Sequence, residues 1–338
     1  MKTLTTGALL AGAAFIGGTA FSQPASAADV TLKFASWLPP FHHWTKTARR
    51  FSDSIEKASG GEVKIAIDKA GLAKGPGQYD LAKNGVRDLV MHVAAYTPGR
   101  FVLYRMAEVP FATPNAETGS EGLHKWYTGH GFDKKEFTGT KLISAFVHGP
   151  GLLHSKKEIK TLEDIKGVKI RTGGGGVKIA NSLGAVAVAM SAPKAHESLQ
   201  RGTTDATFFP YESVTGFKLA KLVKFHLEVP GGLYTTPFMV AMNKKKYDGL
   251  SASAKRALDT AGGAAGAKLI GQGWDAADAV GKKAAIANGN KIQQISASEQ
   301  KRWAKAIQVI KNDWINKANK KGHDGKALME ELLSMMKG

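Results

Sequence analysis

The 338-residue chain contains no cysteine. This absence excludes disulfide bonds, thiolate metal ligands and cysteine nucleophiles. After residue 27 the sequence also lacks any apolar run long enough to span a bilayer, and it shows no recognisable nucleic-acid-binding motif. A chain without disulfides relies on its core for stability, and the remaining residues, about 310, are enough for two domains of ordinary size.

The N-terminus has the three parts of a secretory signal peptide. Lys2 supplies the positive region, residues 8–21 are apolar and small, and the Ala-Ser-Ala of residues 25–27 matches a cleavage site. We therefore predict a signal peptide over residues 1–27, cleavage after Ala27 and a mature protein in the periplasm.

The formal net charge is +19 at pH 7. A strongly basic balance is compatible with nucleic acid, an anionic membrane or anionic small ligands as partners. The lysines are scattered along the chain, however, which is typical of a solvated surface. Together with the predicted export, this distribution leads us to expect no nucleic-acid partner.

Strand and helix patterns alternate through the first half of the chain. This order indicates parallel α/β layering, in which ligands bind beyond the carboxyl ends of the strands. Periodicity and helix-stop signals predict strands at 30–37, 62–68, 88–93 and 141–147, and helices at 43–59, 78–84 and 117–127.

A second α/β unit is predicted over residues 158–224, followed by a long apolar strand at 233–243. Its strands are expected at 168–171, 185–189 and 205–209. After Ser251, a plausible N-cap, the sequence is predicted to be continuously helical, with tracts at 252–287, 297–318 and 325–336. The first tract is alanine-rich and is expected to form one long helix that crosses between the domains.

Arg171 ends one of the apolar strands. A buried guanidinium is costly to desolvate unless an anion meets it, and its planar fork matches a carboxylate. The sequence therefore predicts a binding site for a small organic acid at this strand end. The alternative is an arginine held in a structural salt bridge.

Seven segments, in this order and spacing, resemble the solute-binding proteins of tripartite ATP-independent periplasmic (TRAP) transporters. They are residues 32–43, 58–67, 78–101, 159–176, 183–190, 197–208 and 234–250. The resemblance implies a two-lobed periplasmic binding protein fold with a hinge, a central ligand cleft and a long interdomain helix. It also implies an organic acid ligand and a permease of one large and one small integral membrane subunit. Lobe I is expected to comprise 28–149 and about 233–265, and lobe II 150–232 and about 266–338, with the C-terminal helices.

Within this resemblance, Arg171 matches the arginine that pairs with the ligand carboxylate. Three positions depart from the family pattern. A second arginine is missing after the strand that ends near residue 147, Phe209 replaces an asparagine before Pro210, and Ala192 replaces a common aromatic residue. These departures predict a monocarboxylate with an apolar or aromatic part.

Several other residues are candidates for the ligand site. Alternation along the strand places one of Phe208 and Phe209 towards the cleft, and we predict that it is Phe209. The remaining candidates follow strand ends or flank Arg171: Trp37, His43, Tyr96, Tyr211, Gly173 and Met190. The glycine run at 173–176 lacks the ending of a phosphate-binding loop, but its amides could help hold an anion.

Other functions remain open at this stage. A C4-dicarboxylate or 2-oxo acid receptor, or a periplasmic sensor subunit, would have the same architecture. An enzyme is less favoured, because no nucleophile elbow, metal-ligand set or paired carboxylates are recognisable. We therefore expect no catalytic residues, no metal ligands and no cofactor.

Overall fold

The computed structural model describes residues 1, 3, 29–69 and 71–338. The predicted signal peptide and its cleavage site lie almost entirely outside the described residues. Within them, no helix is both long and apolar enough to cross a membrane.

The described part of the chain forms eleven strands, which are arranged in two separate sheets. The strands, in chain order, are β1 (Val30–Ala35), β2 (Val63–Ile67), β3 (Leu89–Val93), β4 (Thr140–Val147), β5 (Leu152–Ser155), β6 (Lys169–Thr172), β7 (Val186–Ala189), β8 (Ala206–Phe209), β9 (Phe225–Glu228), β10 (Pro237–Asn243) and β11 (Lys291–Gln294).

Twelve α-helices pack on these sheets in the same described residues. They are α1 (Trp44–Ala58), α2 (Gln78–Lys83), α3 (Ala116–Gly129), α4 (Phe132–Glu136), α5 (Gly176–Ser182), α6 (Ala195–Gln200), α7 (Glu212–Gly216), α8 (Lys244–Asp248), α9 (Ala252–Ala261), α10 (Ala264–Ala287), α11 (Ala297–Asn319) and α12 (Gly325–Lys337).

The first sheet has the strand order β2-β1-β3-β10-β4. Strand β1 runs parallel to β2 and β3, whereas β10 is antiparallel to both of its neighbours. The carboxyl ends of β1, β3 and β4 therefore lie at the same edge of the sheet as the beginning of β10. Loops that follow these strands meet at that edge, where the structure forms its cleft.

The second sheet has the order β11-β9-β5-β8-β6-β7. Strand β6 is parallel to both β7 and β8, so the ends of these three strands also share one edge. The fold is thus the predicted two-lobed α/β arrangement. The chain passes between the sheets after β4, before β10 and along α10, and after β11 it returns to the side of the first sheet with α12.

Helix α10 is the predicted interdomain helix, because it packs against α3 beside the first sheet and against α7 beside the second. The prediction of one continuous helix over 252–287 is wrong. A break at Gly262 and Gly263 separates α9 from α10. Both positions have room for glycine only. An added Cβ would lie 2.2 Å from the Leu258 carbonyl oxygen at Gly262 and 2.4 Å from the Asp259 carbonyl oxygen at Gly263.

The prediction of unbroken helix after Ser251 is also wrong, because β11 pairs with β9 in the second sheet. Strands β5 and β9 were not predicted either. The division of the chain into lobes stays a prediction, and the last helix, α12, packs against α3 on the side of the first sheet.

Candidate functional site

A cavity with a volume of about 60 Å³ lies between the strand ends of the two sheets. Its wall is mostly apolar and aromatic. The first-sheet side contributes Trp37, Leu38, His42, Val93, Ala95, Tyr96, His148, Thr236 and Phe238; the second-sheet side contributes Arg171, Gly173, Gly174, Gly175, Ala192, Phe209, Pro210, Glu212 and Phe217; Glu108, Tyr234 and Trp274 complete it.

Arg171 is only 4 % exposed, although its guanidinium carries a charge. Its Nη2 donates to the Met190 carbonyl oxygen at 2.8 Å, and its Nε is buried without a hydrogen-bond partner. Burial lowers the pKa of Arg171, and no carboxylate of the described residues forms an ion pair with it. The structure thus leaves a buried cation with an unused donor at the cavity wall.

The parallel pairing of β6 and β8 places Arg171 opposite Thr207, two residues before Phe209. As a result, the Arg171 guanidinium carbon lies 4.3 Å from the centre of the Phe209 ring. The Phe209 ring is stacked against that of Phe217, with centroids 5.3 Å apart. Phe208, its neighbour on the strand, is fully buried in a different core cluster. The cation therefore lies against an aromatic wall.

On the opposite side, the Trp37 and Tyr96 rings make an edge contact with centroids 5.6 Å apart. Trp37 follows β1, and Tyr96 lies in the 3₁₀ turn after β3. Burial raises the pKa of the Tyr96 phenol, so this group is neutral at physiological pH. Trp37 and Tyr96 thus lie on one wall of the cavity, and Phe209 lies on the opposite wall.

The glycines after β6 allow the two sides to approach closely. Gly174 has a φ of +55°, and a Cβ there would lie 2.8 Å from that of Ala95. At Gly175 an added Cβ would lie 2.6 Å from Glu108 Oε2. Glu108 is itself held by Arg105 through bonds of 2.7 and 2.8 Å. Larger residues would therefore not fit at Gly174 and Gly175, where the loop after β6 contacts Ala95 and Glu108.

Of the candidates from the sequence, the structure brings Arg171, Phe209, Trp37, Tyr96 and Gly173 together around the cavity. Met190 contributes its carbonyl oxygen to Arg171, but its side chain is not part of the wall. Tyr211 and His43 also lie outside the wall; Tyr211 belongs to a separate cluster with Leu152, Val214 and Ala285.

Tyr211 lies between the end of β8 and the start of α7, and its contacts hold the ring away from the cavity. The Tyr211 hydroxyl donates to Glu228 Oε1 at 2.9 Å. Of the adjacent histidines His42 and His43, His42 lines the cavity and His43 does not. His43 packs edge-on against Trp274, with centroids 4.5 Å apart.

Sequence reasoning missed Glu212, His148 and Trp274 as wall residues, and of the two adjacent histidines it selected His43 and not His42. His148 stands in the region where the second arginine was expected. Burial lowers its pKa to about 4, so it is neutral. Its ring nitrogens lie 2.6 Å from the Gly149 carbonyl oxygen and 3.1 Å from Thr236 Oγ1. A polar residue directly after a buried strand was the signal that could have identified it.

One group of side chains has the composition of a metal site: His42, His43 and Glu212 offer ligand atoms within 4.8 Å of one another. However, the Trp44 peptide N–H donates to His42 Nδ1 at 3.2 Å. The proton of the neutral ring is then on Nε2, which faces Glu212 Oε2 at 3.1 Å. A protonated Nε2 has no lone pair for a metal ion, so this pattern disfavours a metal there, although neither Nε2 nor Glu212 Oε2 has a hydrogen-bond partner within the described residues.

The fold and the cleft are those of a two-lobed solute-binding protein, a class that captures its ligand between two lobes. The profile of the bacterial extracellular solute-binding protein family 7 matches residues 34–317. The chain belongs to this family of transport receptors and is not an enzyme.

Three solved structures of TRAP solute-binding proteins are similar to this chain. One from Bordetella bronchiseptica, with bound mandelate, has a TM-score of 0.86 and 29% identity, covering 91% of this chain and 99% of that one. One from Rhodoferax ferrireducens, with copurified benzoate, has a TM-score of 0.84 and 33% identity, covering 91% and 98%. One from a marine metagenome, described as specific for aromatic acids and bound to 3-hydroxybenzoate, has a TM-score of 0.85 and 34% identity, covering 92% and 99%.

Proposed function

We propose that this protein captures a small aromatic monocarboxylate in the cleft and delivers it to the two membrane subunits of a TRAP permease. The observation that carries the proposal is Arg171, a buried cation without an acidic partner among the described residues, packed on the Phe209 ring. An unpaired buried charge is strongly unfavourable, so a ligand carboxylate would supply the missing partner.

The role of each wall follows from its chemistry. The Arg171 fork would accept both oxygens of one carboxylate and so orient the ligand. Phe209, Trp37 and Tyr96 would contact the ring by offset or edge packing. The carboxylate contacts one lobe and the ring contacts both, so binding would stabilise the closed arrangement relative to an open one.

The ligands of the similar structures support an aromatic acid, since mandelate, benzoate and 3-hydroxybenzoate each combine one carboxylate with one ring. A neutral His148 in place of a second arginine also favours a single carboxylate. We further infer that the chain is exported, that Ala28 begins the mature protein and that the division into lobes follows the predicted bounds. N-terminal mass determination of the periplasmic protein tests the cleavage site.

The binding test is thermal unfolding of the mature protein, after partial unfolding and dialysis to remove any copurified ligand. The panel contains benzoate, 3-hydroxybenzoate and mandelate against malate, succinate and pyruvate. A ligand at about a hundredfold excess over its Kd stabilises the native state by about 2.7 kcal/mol, which raises the Tm of a chain of this size by about 4 °C. The proposal requires this shift with aromatic monocarboxylates.

A shift with malate or succinate alone would overturn the proposal in favour of a dicarboxylate receptor, and a shift with pyruvate alone in favour of a 2-oxo acid receptor. A sensor role makes a separate prediction: the gene would adjoin a membrane kinase, whereas transport requires adjacent genes for the large and small permease subunits.

A further inference from the structure

Glu212 is a buried carboxylate in the wall of the ligand cavity. It is 3 % exposed and begins α7, directly after Tyr211. Its peptide N–H donates to Asp278 Oδ1 at 2.7 Å, and the Ser213 hydroxyl donates to its Oε1. The backbone and one oxygen are therefore fixed, and the second oxygen, Oε2, lies towards the two histidines.

The contacts of Glu212 keep it ionised. His42 Nε2 and His43 Nε2 lie 3.1 and 3.4 Å from Oε2. Burial alone would raise the pKa of Glu212, but the contacts with His42 and then His43 outweigh burial and hold this pKa well below its usual range. Burial lowers the pKa of His43, and because His42 Nδ1 accepts the Trp44 N–H, its neutral ring carries the proton on Nε2, the nitrogen nearer to Glu212. The cluster thus carries a net negative charge.

This charge is separate from the cation of the cavity. Glu212 is paired only with histidines among the described residues, and Arg171 has no acidic partner among them, although both line the same space. The other wall carboxylate, Glu108, is neutralised by Arg105. The cavity therefore has one positive pole at Arg171 and one negative pole at Glu212.

We propose that Glu212 determines specificity by excluding acids that carry a second anionic group. The inference rests on the proposed function, in which Arg171 takes the first carboxylate. A second carboxylate would enter a mostly apolar cavity whose described wall residues offer no second unpaired cation, and it would be repelled by Glu212 at low effective dielectric. A neutral substituent of the same shape would not meet this repulsion.

The test compares three meta-substituted benzoates by isothermal titration calorimetry: benzoate, 3-nitrobenzoate and isophthalate. Nitro and carboxylate groups have the same planar shape, so the ratio of their affinities reports charge and not size. In the wild-type protein, isophthalate is expected to bind at least about 100-fold more weakly than 3-nitrobenzoate. In Glu212→Gln this ratio is expected to narrow by at least about tenfold.

The control variant is Glu228→Gln, which removes a carboxylate of the same lobe that lies outside the cavity wall and pairs with Lys282. It should leave the affinity ratio unchanged. Equal wild-type affinities for isophthalate and 3-nitrobenzoate would overturn the proposal, and so would an unchanged ratio in a folded Glu212→Gln protein. Rejection of both substituted acids would assign the exclusion to size and overturn it as well.

A second measurement needs no variant and remains decisive if Glu212→Gln does not fold. The wild-type protein should bind 3-(aminomethyl)benzoate, with its cationic substituent, more tightly than 3-(hydroxymethyl)benzoate, because the negative pole attracts the cation. The reverse order would overturn the proposal. Failure of benzoate itself to bind is a different result, since it contradicts the proposed function.

Discussion

Asp275 and Asp278 lie one turn apart on α10, and each accepts hydrogen bonds from the start of a helix in a different lobe. The Asp275 oxygens accept from the peptide N–H groups of Ala116 and Glu117, at 2.7 and 2.9 Å. Asp278 Oδ1 accepts from the Glu212 N–H at 2.7 Å. The interdomain helix therefore caps α3 beside the first sheet and α7 beside the second, and this fixes the lobe that carries Glu212.

Amide substitutions at these two positions should have opposite effects on stability. Burial raises the pKa of Asp278 well above its usual value. Its folded pKa exceeds its unfolded pKa, so the native state binds the extra proton and stability falls as pH rises between the two values. Asp278→Asn removes this loss and keeps an acceptor for the Glu212 N–H. We expect a higher Tm than wild type at pH 7.5 and a smaller difference near pH 4.

Burial also raises the pKa of Asp275, but Asp275→Asn should lower the Tm, because we expect the lost hydrogen bond to outweigh the removal of a buried charge. Both Asp275 oxygens accept a peptide N–H, and an amide can accept only one of these bonds because its NH₂ group is a donor. An orphaned N–H costs about 1–3 kcal/mol. Calorimetric unfolding of the two variants at pH 7.5 measures the contrast. A stabilised Asp275→Asn or a destabilised Asp278→Asn would contradict the capping account.

Arg171→Gln should reduce the affinity for benzoate by at least about 30-fold, because truncating one partner of a buried charge pair costs about 2–5 kcal/mol. The ligand-free protein should keep its Tm or gain stability, since an unpaired buried cation has been removed. Arg171→Lys retains the charge but loses the planar fork, so its affinity should be intermediate.

Arg201→Gln is the matched control for Arg171. Arg201 is exposed and pairs with Glu197 within one helical turn. Titration calorimetry should find wild-type affinity in this variant. Wild-type benzoate affinity in Arg171→Gln would remove the basis of the proposed function.

Gly281→Ala should separate the interdomain helix from α7. An added Cβ would lie 1.9 Å from the Tyr211 carbonyl oxygen, where backbone cannot yield cheaply. We expect a loss of about 1–3 kcal/mol in the free energy of unfolding, together with weaker ligand binding, because α7 carries Glu212.

Gly129→Ala is the corresponding control at a helical glycine. It ends α3, and an added Cβ there has no neighbour within 4 Å. Alanine should therefore be neutral or stabilising by up to about 1 kcal/mol. Urea unfolding of both variants tests the comparison, and equal destabilisation by the two would show that the contact with Tyr211 is unimportant.

Acid should destabilise the protein over an unusual range, between about pH 6.5 and 4. Burial is the main cause that lowers the folded pKa of five histidines. It is lowered to about 4 for His92, His124, His148 and His226, and to about 3 for His154. Their unfolded pKa is near 6.5, so the unfolded state binds more protons and stability falls as pH falls through this window.

The free energy of unfolding should fall steeply with falling pH, because each of these histidines contributes up to about 1.4 kcal/mol per pH unit between its folded and unfolded pKa. Urea unfolding at pH 7, 6 and 5 measures it. His130 is the control: it is partly exposed and pairs with Glu331, so His130→Gln should leave the slope unchanged. A free energy of unfolding that is constant from pH 7 to 5 would contradict the prediction.

Much of the fold was predictable because local patterns and tertiary packing agree. The helix predicted at 43–59 is α1, and the strand predicted at 88–93 is β3, each within one residue at either end. The missed strands are four residues long and carry little alternation. The segment Lys291–Gln294 is a strand because β9 offers it an open edge. A pairing partner some sixty residues away leaves no local pattern.

The same distinction applies to the cavity. Arg171, Phe209, Trp37 and Tyr96 could be selected from the sequence because each follows or ends a predicted strand, where cleft loops belong. His148 directly follows a predicted strand and could have been selected in the same way, whereas Trp274 comes from the middle of a helix, where no local pattern marks it as a wall residue.

The sequence by itself determined the α/β class, the family and the presence of an arginine at the end of a buried strand, because these depend on periodicity and on residues close together in the chain. Only the tertiary structure decided that this arginine has no carboxylate partner in the described residues and that Glu212 forms a second, negative pole. Both features depend on how the two sheets face each other across the cleft, and that relation is set by long-range packing.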